Sequence, residues 1–247
     1  GDTNRKIRTG YFAGVSFLDQ QIEKIFQELK DEGIFDNTLI IYTSDHGDML
    51  GDHGLYSKGA MFYEQGVNVP LIVKFPHQTQ GCRSEDLVML EDMFSTIYTA
   101  AGGDASFRPE SLPLQGEKKH EFAMTEYRGC GKFDLMGFPH ILHATMIRTA
   151  EWKLNLYHDT CDGQLFHLTE DPQEKNNLYH DPACAGKIME LMQMYLSYDT
   201  ERDYNYNAEA ARAFPALPRP FAKLSFDRKP GGTICQFAAK RKKRPLM

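Results

Sequence analysis

Residues 38–58 constrain this chain more than any other stretch. They read Thr-Leu-Ile-Ile-Tyr-Thr-Ser-Asp-His-Gly-Asp-Met-Leu-Gly-Asp-His-Gly-Leu-Tyr-Ser-Lys. The turn signal Asp36-Asn37, followed by a short apolar run with β-branched content, predicts a buried strand over 38–43. That strand runs straight into Asp45-His46-Gly47 and a glycine-rich loop. Adjacent oxygen and imidazole donors at the carboxyl end of a strand sit at the mouth of an open sheet, where α/β proteins bind ligands. Neighbouring side chains on a strand face opposite ways, but the turn of the backbone at its end lets both converge. Asp45 and His46 suit a divalent cation, and Lys58 would neutralise an anion beside it. From the residues alone, a turn aspartate, an exposed histidine and a solvated loop lysine remain equally simple readings.

The flanking pattern predicts the other elements. Ile7, Tyr11, Val15, Leu18, Ile22, Ile25, Phe26 and Leu29 recur at helical spacing, so 7–30 reads as a helix with one buried face, stopped at Gly33. Residues 69–75 read as a strand, and 38–43 and 69–74 are expected to be strands of a larger parallel sheet. Residues 84–101 read as a helix ended by Gly102-Gly103. Residues 122–127, the two halves of 144–157 around a turn at 149–151, and 163–168 read as strands, and 183–199 as a helix. That order predicts an antiparallel sheet with one packed helix. Beyond residue 200, Pro215, Pro218, Pro220 and Pro230 break any periodicity.

Composition narrows the partners. A net charge of −6 argues against nucleic acid. Lys240-Arg241-Lys242-Lys243-Arg244 reads as a solvated basic tail. No apolar run approaches the roughly 18 residues of a membrane span, so no membrane partner is expected. The five cysteines, with no Cys-x-x-Cys among them, give neither a zinc site nor a complete disulfide framework.

Several segments in order resemble the type I sulfatases of the alkaline phosphatase superfamily. They are Tyr11-Phe12-Ala13-Gly14-Val15 with Leu18-Asp19, Asp36-Asn37-Thr38, Thr43-Ser44-Asp45-His46-Gly47, Leu50-Gly51-Asp52-His53-Gly54-Leu55, Lys58-Gly59, Tyr63-Glu64 and Val69-Pro70-Leu71-Ile72-Val73. Downstream come Ile147-Arg148-Thr149, Trp152-Lys153-Leu154, Leu165-Phe166 and residues 171–178. The likeness reaches about residue 195. It implies an α/β fold: part of an alkaline phosphatase-like sheet flanked by helices over 1–104, a small α+β subdomain with an antiparallel sheet and one helix over 105–200, and an irregular tail over 201–247.

The resemblance also implies a chemistry. Asp45 and His46 would be metal ligands, of calcium as in the family, with manganese or zinc left open by the imidazole. Lys58 would hold a sulfate oxygen. His53 either reaches the same pocket or caps the loop through a hydrogen bond, and Glu64 reads as a loop salt bridge. His140, His143, Tyr127 and Arg128 are weaker candidates for substrate contacts. Asn68 departs from the arginine found there in many relatives. The family's nucleophile, a formylglycine made from a Cys/Ser-x-Pro-x-Arg motif, lies well upstream of the Asp-His pair. No such motif occurs in these 247 residues, and Ser111-Leu112-Pro113-Leu114-Gln115 lacks the arginine.

The chain therefore reads as the C-terminal portion of a sulfuric ester hydrolase, inactive alone. Its partners would be a sulfate-ester substrate, the missing N-terminal half and, as a fragment, further copies of itself. A periplasmic, secreted or lysosomal setting follows from resemblance alone. The alternatives are a phosphonate or phosphate ester hydrolase of the same superfamily, or a non-catalytic interaction module.

Overall fold

The computed structural model describes residues 2–129, 143–158, 160 and 162–213, with side chains through residue 205. The contacts below lie within the compact unit Gly1–Tyr206.

The first helix, α1 (Asp2–Asp31), ends where glycine predicts. Gly33 adopts φ +69°, its N–H reaches Lys30 O at 3.0 Å, and Ile34 N–H reaches Leu29 O at 3.0 Å. This paired arrangement satisfies carbonyls that the helix end leaves open. The expected buried face is absent: no residue of α1 is buried, and Ile7, Tyr11, Phe12, Val15, Leu18 and Ile25 are exposed. Helical periodicity reports that a helix has an apolar face; it does not supply the cover.

Strands β1 (Ile40–Thr43) and β2 (Leu71–Lys74) form a two-stranded sheet. They pair antiparallel, Ile40 opposite Lys74 and Thr43 opposite Leu71, which corrects the parallel arrangement expected from sequence. The reason lies at the end of β2. Lys74 Nζ donates to Phe35 O at 2.9 Å, Asp36 O at 3.2 Å and Thr38 O at 3.3 Å, so the exit of β2 is fastened beside the entrance of β1. Between the strands lie the site loop and a short helix, α2 (Glu64–Val67).

Helix α3 (Asp92–Ala100) begins later than the pattern over 84–101 suggests. The Asp92 carboxylate is buried and accepts Met89 N–H at 2.8 Å and Leu112 N–H at 2.7 Å, with His120 Nε2 at 2.9 Å. These bonds hold residues before the helix in a turn and fasten the following loop across it. Ser111, from the segment that mimics part of the nucleophile motif, is buried there and donates to Glu91 O at 2.7 Å.

The antiparallel sheet appears as expected. Strands β3 (Ala123–Arg128), β4 (His143–Arg148), β5 (Trp152–Tyr157) and β6 (Asp162–His167) lie in that spatial order. Successive register pairs align Met124, Ile147, Leu154 and Leu165 on one face. Ile147, Leu154 and Leu165 pack with Leu191, Ile188 and Tyr195 of α4 (Ala185–Ala213). Each buried leucine or isoleucine contributes about 1.5–3 kcal/mol. Asp181 and Pro182 start the approach to α4, with Asp181 Oδ1 accepting Ala183 N–H at 2.9 Å. The helix continues past residue 199 to Ala213, which corrects the irregular tail expected from 201 over those residues; the rest of that tail lies outside the described residues.

Alternation along the strands sends Ala144, Met146, Lys153, Asn155 and Phe166 to the opposite face. Ala144 and Met146 pack there with Ala60, Phe62 and Val67 of the β1–β2 connection. The sheet is thus covered by a helix on one side and by the site loop on the other.

Candidate functional site

The connection after β1 is an ordered loop. Gly47 N–H donates to Gly66 O at 2.9 Å, Met49 N–H to Ser57 O at 3.0 Å and Gly51 N–H to Leu55 O at 2.7 Å. Asp48 Oδ1 braces it by accepting Leu50 N–H at 2.8 Å and Ser57 N–H at 3.2 Å. Met49, 1% exposed, plugs it into the protein. Glycine is required at 47 because a Cβ there would stand 1.9 Å from Gln65 O.

The Asp45 side chain is 85% exposed and the His46 side chain 38%. Asp45 Oδ1 accepts His46 N–H at 3.0 Å, and Asp45 Oδ2 lies 3.5 Å from His46 Nε2. His46 Nδ1 lies 2.9 Å from Gly47 O. A carbonyl only accepts, so Nδ1 carries a proton. Desolvation pushes the Asp45 pKa up, but the His46 N–H, the His46 ring, its own N–H and the Lys58 charge together outweigh it. The carboxyl therefore titrates below its usual range and is ionised near neutrality. Lys58 is exposed, and its charge is felt at Asp45. Asp45 and His46 thus lie side by side at the end of β1, and Lys58 lies farther along the same loop.

His53 is placed differently. It adopts φ +53° and its ring stacks on Tyr63, with centroids 3.8 Å apart and planes 13° from parallel. Tyr63 Oη accepts Gln164 Nε2 at 2.9 Å. His53 is thereby tied into the loop by ring stacking, a role that neither sequence reading named. Tyr127 and Arg128 lie on β3, where Arg128 donates to Glu126 at 3.3 Å, and His143 opens β4. His140 lies outside the described residues.

Beneath the loop is a charged cluster for which the sequence suggested only one member. Glu64 Oε1 accepts Lys153 Nζ at 2.5 Å and Arg148 Nε at 3.1 Å, while Asn68 Nδ2 donates to Glu64 Oε2 at 3.2 Å. Lys153, 0% exposed, also pairs with Glu174 Oε1 at 2.7 Å and donates to Phe62 O at 3.0 Å. Burial pushes the Glu64 pKa up, but Lys153 and then Arg148 outweigh it and hold the carboxyl below its usual range. Lys153 and Asn155 alternate with apolar residues along 152–157, a pattern that reads as a polar face, so nothing local marks Lys153 as a buried lysine in need of a counter-charge.

Two ligands bound to one cation at about 2.1–2.4 Å and at right angles stand about 3 Å apart. The Asp45–His46 separation fits two positions of such a shell. Among the described residues, no group of three or more His, Cys, Asp or Glu side chains is arranged to hold a metal. The pair therefore fits a divalent cation as part of a shell.

Known proteins add the following. Residues 1–103 match the Sulfatase family model. The N-acetylglucosamine-6-O-sulfatase of Bacteroides thetaiotaomicron is 30% identical over 203 residues, which cover 80% of this chain and 36% of that protein. A protein solved in complex with its substrate D-glucosamine-2-N,6-O-disulfate superposes with a TM-score of 0.63 at 25% identity, covering 77% of this chain and 40% of that one. The phosphonate monoester hydrolase of Agrobacterium radiobacter superposes with a TM-score of 0.64 at 26% identity, covering 76% and 40%. The chain spans about two-fifths of the length of these relatives. Sequence and fold agree: the chain carries a sulfatase family domain and is a homologue of the sulfatases of the alkaline phosphatase superfamily.

Proposed function

We propose that the protein to which this chain belongs hydrolyses sulfate esters, and that this chain supplies Asp45 and His46 to a divalent cation and Lys58 to the sulfate. The observation that carries the reading is the side-by-side placement of the Asp45 carboxylate and the His46 ring at the end of β1, with Oδ2 and Nε2 3.5 Å apart. A bound divalent cation would supply Lewis acidity toward a sulfuryl oxygen and neutralise developing charge. Calcium is the family expectation, with manganese or zinc kept open by the imidazole donor.

The chain's own residues then have distinct tasks. Asp45 brings negative charge to the site and His46 a neutral nitrogen. Lys58 offers an ammonium to an ester oxygen as a point charge. His53, stacked on Tyr63, shapes the loop and leaves the chemistry to its neighbours. The covalent step requires a nucleophile from outside these residues, a formylglycine by family resemblance. The 247-residue chain is accordingly inactive alone in this reading. A sulfated amino sugar is one substrate class to test, because two matched relatives are named for such compounds.

A second reading, phosphonate or phosphate ester hydrolysis, is favoured by the superposition on a phosphonate monoester hydrolase. One experiment separates the readings. The encoded protein, including any residues before Gly1, is assayed with 4-nitrophenyl sulfate, glucosamine-6-sulfate and 4-nitrophenyl phenylphosphonate, beside the 247-residue chain. Sulfate turnover by the longer protein, lost in Asp45→Ala, supports the first reading. Preference for the phosphonate supports the second. Turnover by the 247-residue chain that Asp45→Ala abolishes contradicts the division of labour, and no turnover by either leaves an interaction module.

A further inference from the structure

Lys153 is fully buried in the third strand of a four-stranded sheet, and what it holds is the site loop. We propose that Lys153, together with Glu174, is a positioning group for the Asp45–His46 pair, setting the loop that carries the pair against the sheet. The functional meaning rests on the reading of that pair as cation ligands; the positioning itself does not.

Three consecutive loop residues are clamped from the sheet side. Phe62 O accepts Lys153 Nζ at 3.0 Å. Tyr63 Oη accepts Gln164 Nε2 at 2.9 Å. Glu64 receives Lys153 at 2.5 Å and Arg148 at 3.1 Å through its carboxylate, and its N–H donates to Glu174 Oε2 at 2.7 Å. Glu174 adopts φ +52°, a conformation that L residues avoid, while its carboxylate remains 1% exposed beside Lys153. A hydrophobic residue of similar volume would fill the place of Lys153 without an ion's desolvation cost, so packing alone does not account for the lysine.

From the clamped residues the coupling runs to the site through Gly47. Gly66 O accepts Gly47 N–H at 2.9 Å, and Gln65 O abuts Gly47 so closely that no Cβ fits. Gly47 O in turn fixes the proton on His46 Nδ1. Tyr63 also carries the stacked His53 ring, so the same clamp holds the far part of the loop. If the clamp shifts, the Gly47–Gly66 contact shifts with it, and His46 loses the carbonyl that orients its ring.

The test reads the His46 ring directly. Ring-nitrogen NMR shifts are recorded without metal for the wild type, Lys153→Met, Glu174→Gln and Leu154→Ala. Leu154→Ala destabilises the opposite face of the sheet and serves as the control for general loss of stability. In the wild type, His46 is expected as the Nδ1–H tautomer. In Lys153→Met and Glu174→Gln, that signature gives way to the tautomer mixture of a free imidazole, while Leu154→Ala retains it. An unchanged His46 in both clamp variants overturns the proposal, as does an equal change in Leu154→Ala. Where Lys153→Met does not fold, Glu174→Gln carries the same comparison. Manganese, whose paramagnetism broadens nearby signals even at the slight occupancy that two donors allow, is then added to the wild type. Absence of His46 broadening sinks the cation reading and leaves the positioning result standing.

Discussion

The two faces of the four-stranded sheet solve one burial problem in opposite ways. Toward α4, Ile147, Leu154 and Leu165 are each 0% exposed and meet other apolar side chains. Toward the site loop, the neighbouring residue of the same strand is Lys153, equally buried, and it meets two carboxylates and a carbonyl. An apolar face attaches whatever covers it with little directional preference. A charged clamp demands one geometry, because each ion left unpaired would be costly. The difference teaches which face is fold and which is site: the chain uses non-directional packing where a helix must only cover, and directional bonds where a loop must be held in register.

The largest predicted effect would break that contrast at its centre. Lys153→Met strands the buried Glu174 without its cation and leaves Glu64 to Arg148 alone, and removing one partner of a buried pair costs about 3–5 kcal/mol. Chemical denaturation should show a loss of that size. Glu174→Gln in the Lys153→Met background should recover part of it, because the stranded charge is gone. Full additivity of the two losses would mean that no clamp exists.

Leu154→Ala, on the apolar face, should cost about 2–4 kcal/mol through lost burial and the cavity it leaves. No second-site removal of charge should rescue it. Gly47→Ala comes next, at about 1–3 kcal/mol, because the new methyl group must displace the Gln65 carbonyl. Its distinguishing sign would be a change in His53 and His46 ring signals with the α4 face unaltered.

A smaller effect lies in acid. Lys153 and Arg148 outweigh the burial of Glu64 and lower its folded pKa below the ordinary glutamate value of 4.5. Its contribution to stability is therefore full above that value and is lost as pH falls through the lower folded pKa. Denaturation midpoints of the wild type should fall over that acid range, and Glu64→Gln should flatten the slope. An equal slope in both would remove Glu64 from the account.

The same contrast explains what was legible in the sequence. The α4 face was readable because Ile147, Leu154 and Leu165 alternate with their neighbours, and Ile188, Leu191 and Tyr195 recur at helical spacing. The clamp was not. Lys153 lies 91 positions from Phe62, and Glu174 lies 110 from Glu64, so no local period links them. The residues were visible in the family-like segments, but their partnership is a property of the folded chain. The same limit explains the β1–β2 orientation, since two short apolar runs carry no record of which end is fastened beside which. The site loop showed more of itself: Asp45 and His46 are adjacent in sequence and the loop's glycines announce its turns. The stacking of His53 on Tyr63 depends on a left-handed backbone that the sequence did not betray.

The central claim is that Asp45 and His46 are two ligands of a shell completed from outside this chain. Thermal melting of the 247-residue chain with and without about 1 mM calcium, repeated on Asp45→Asn, tests it most directly. Two donors without the rest of the shell bind calcium weakly, with a dissociation constant on the order of 10 mM, so ligand linkage is negligible at that concentration. The account predicts superimposable melting curves for the wild type and Asp45→Asn in both conditions. A rise of several degrees with calcium, abolished by Asp45→Asn, would show that other residues of this chain complete the site and would contradict the claim.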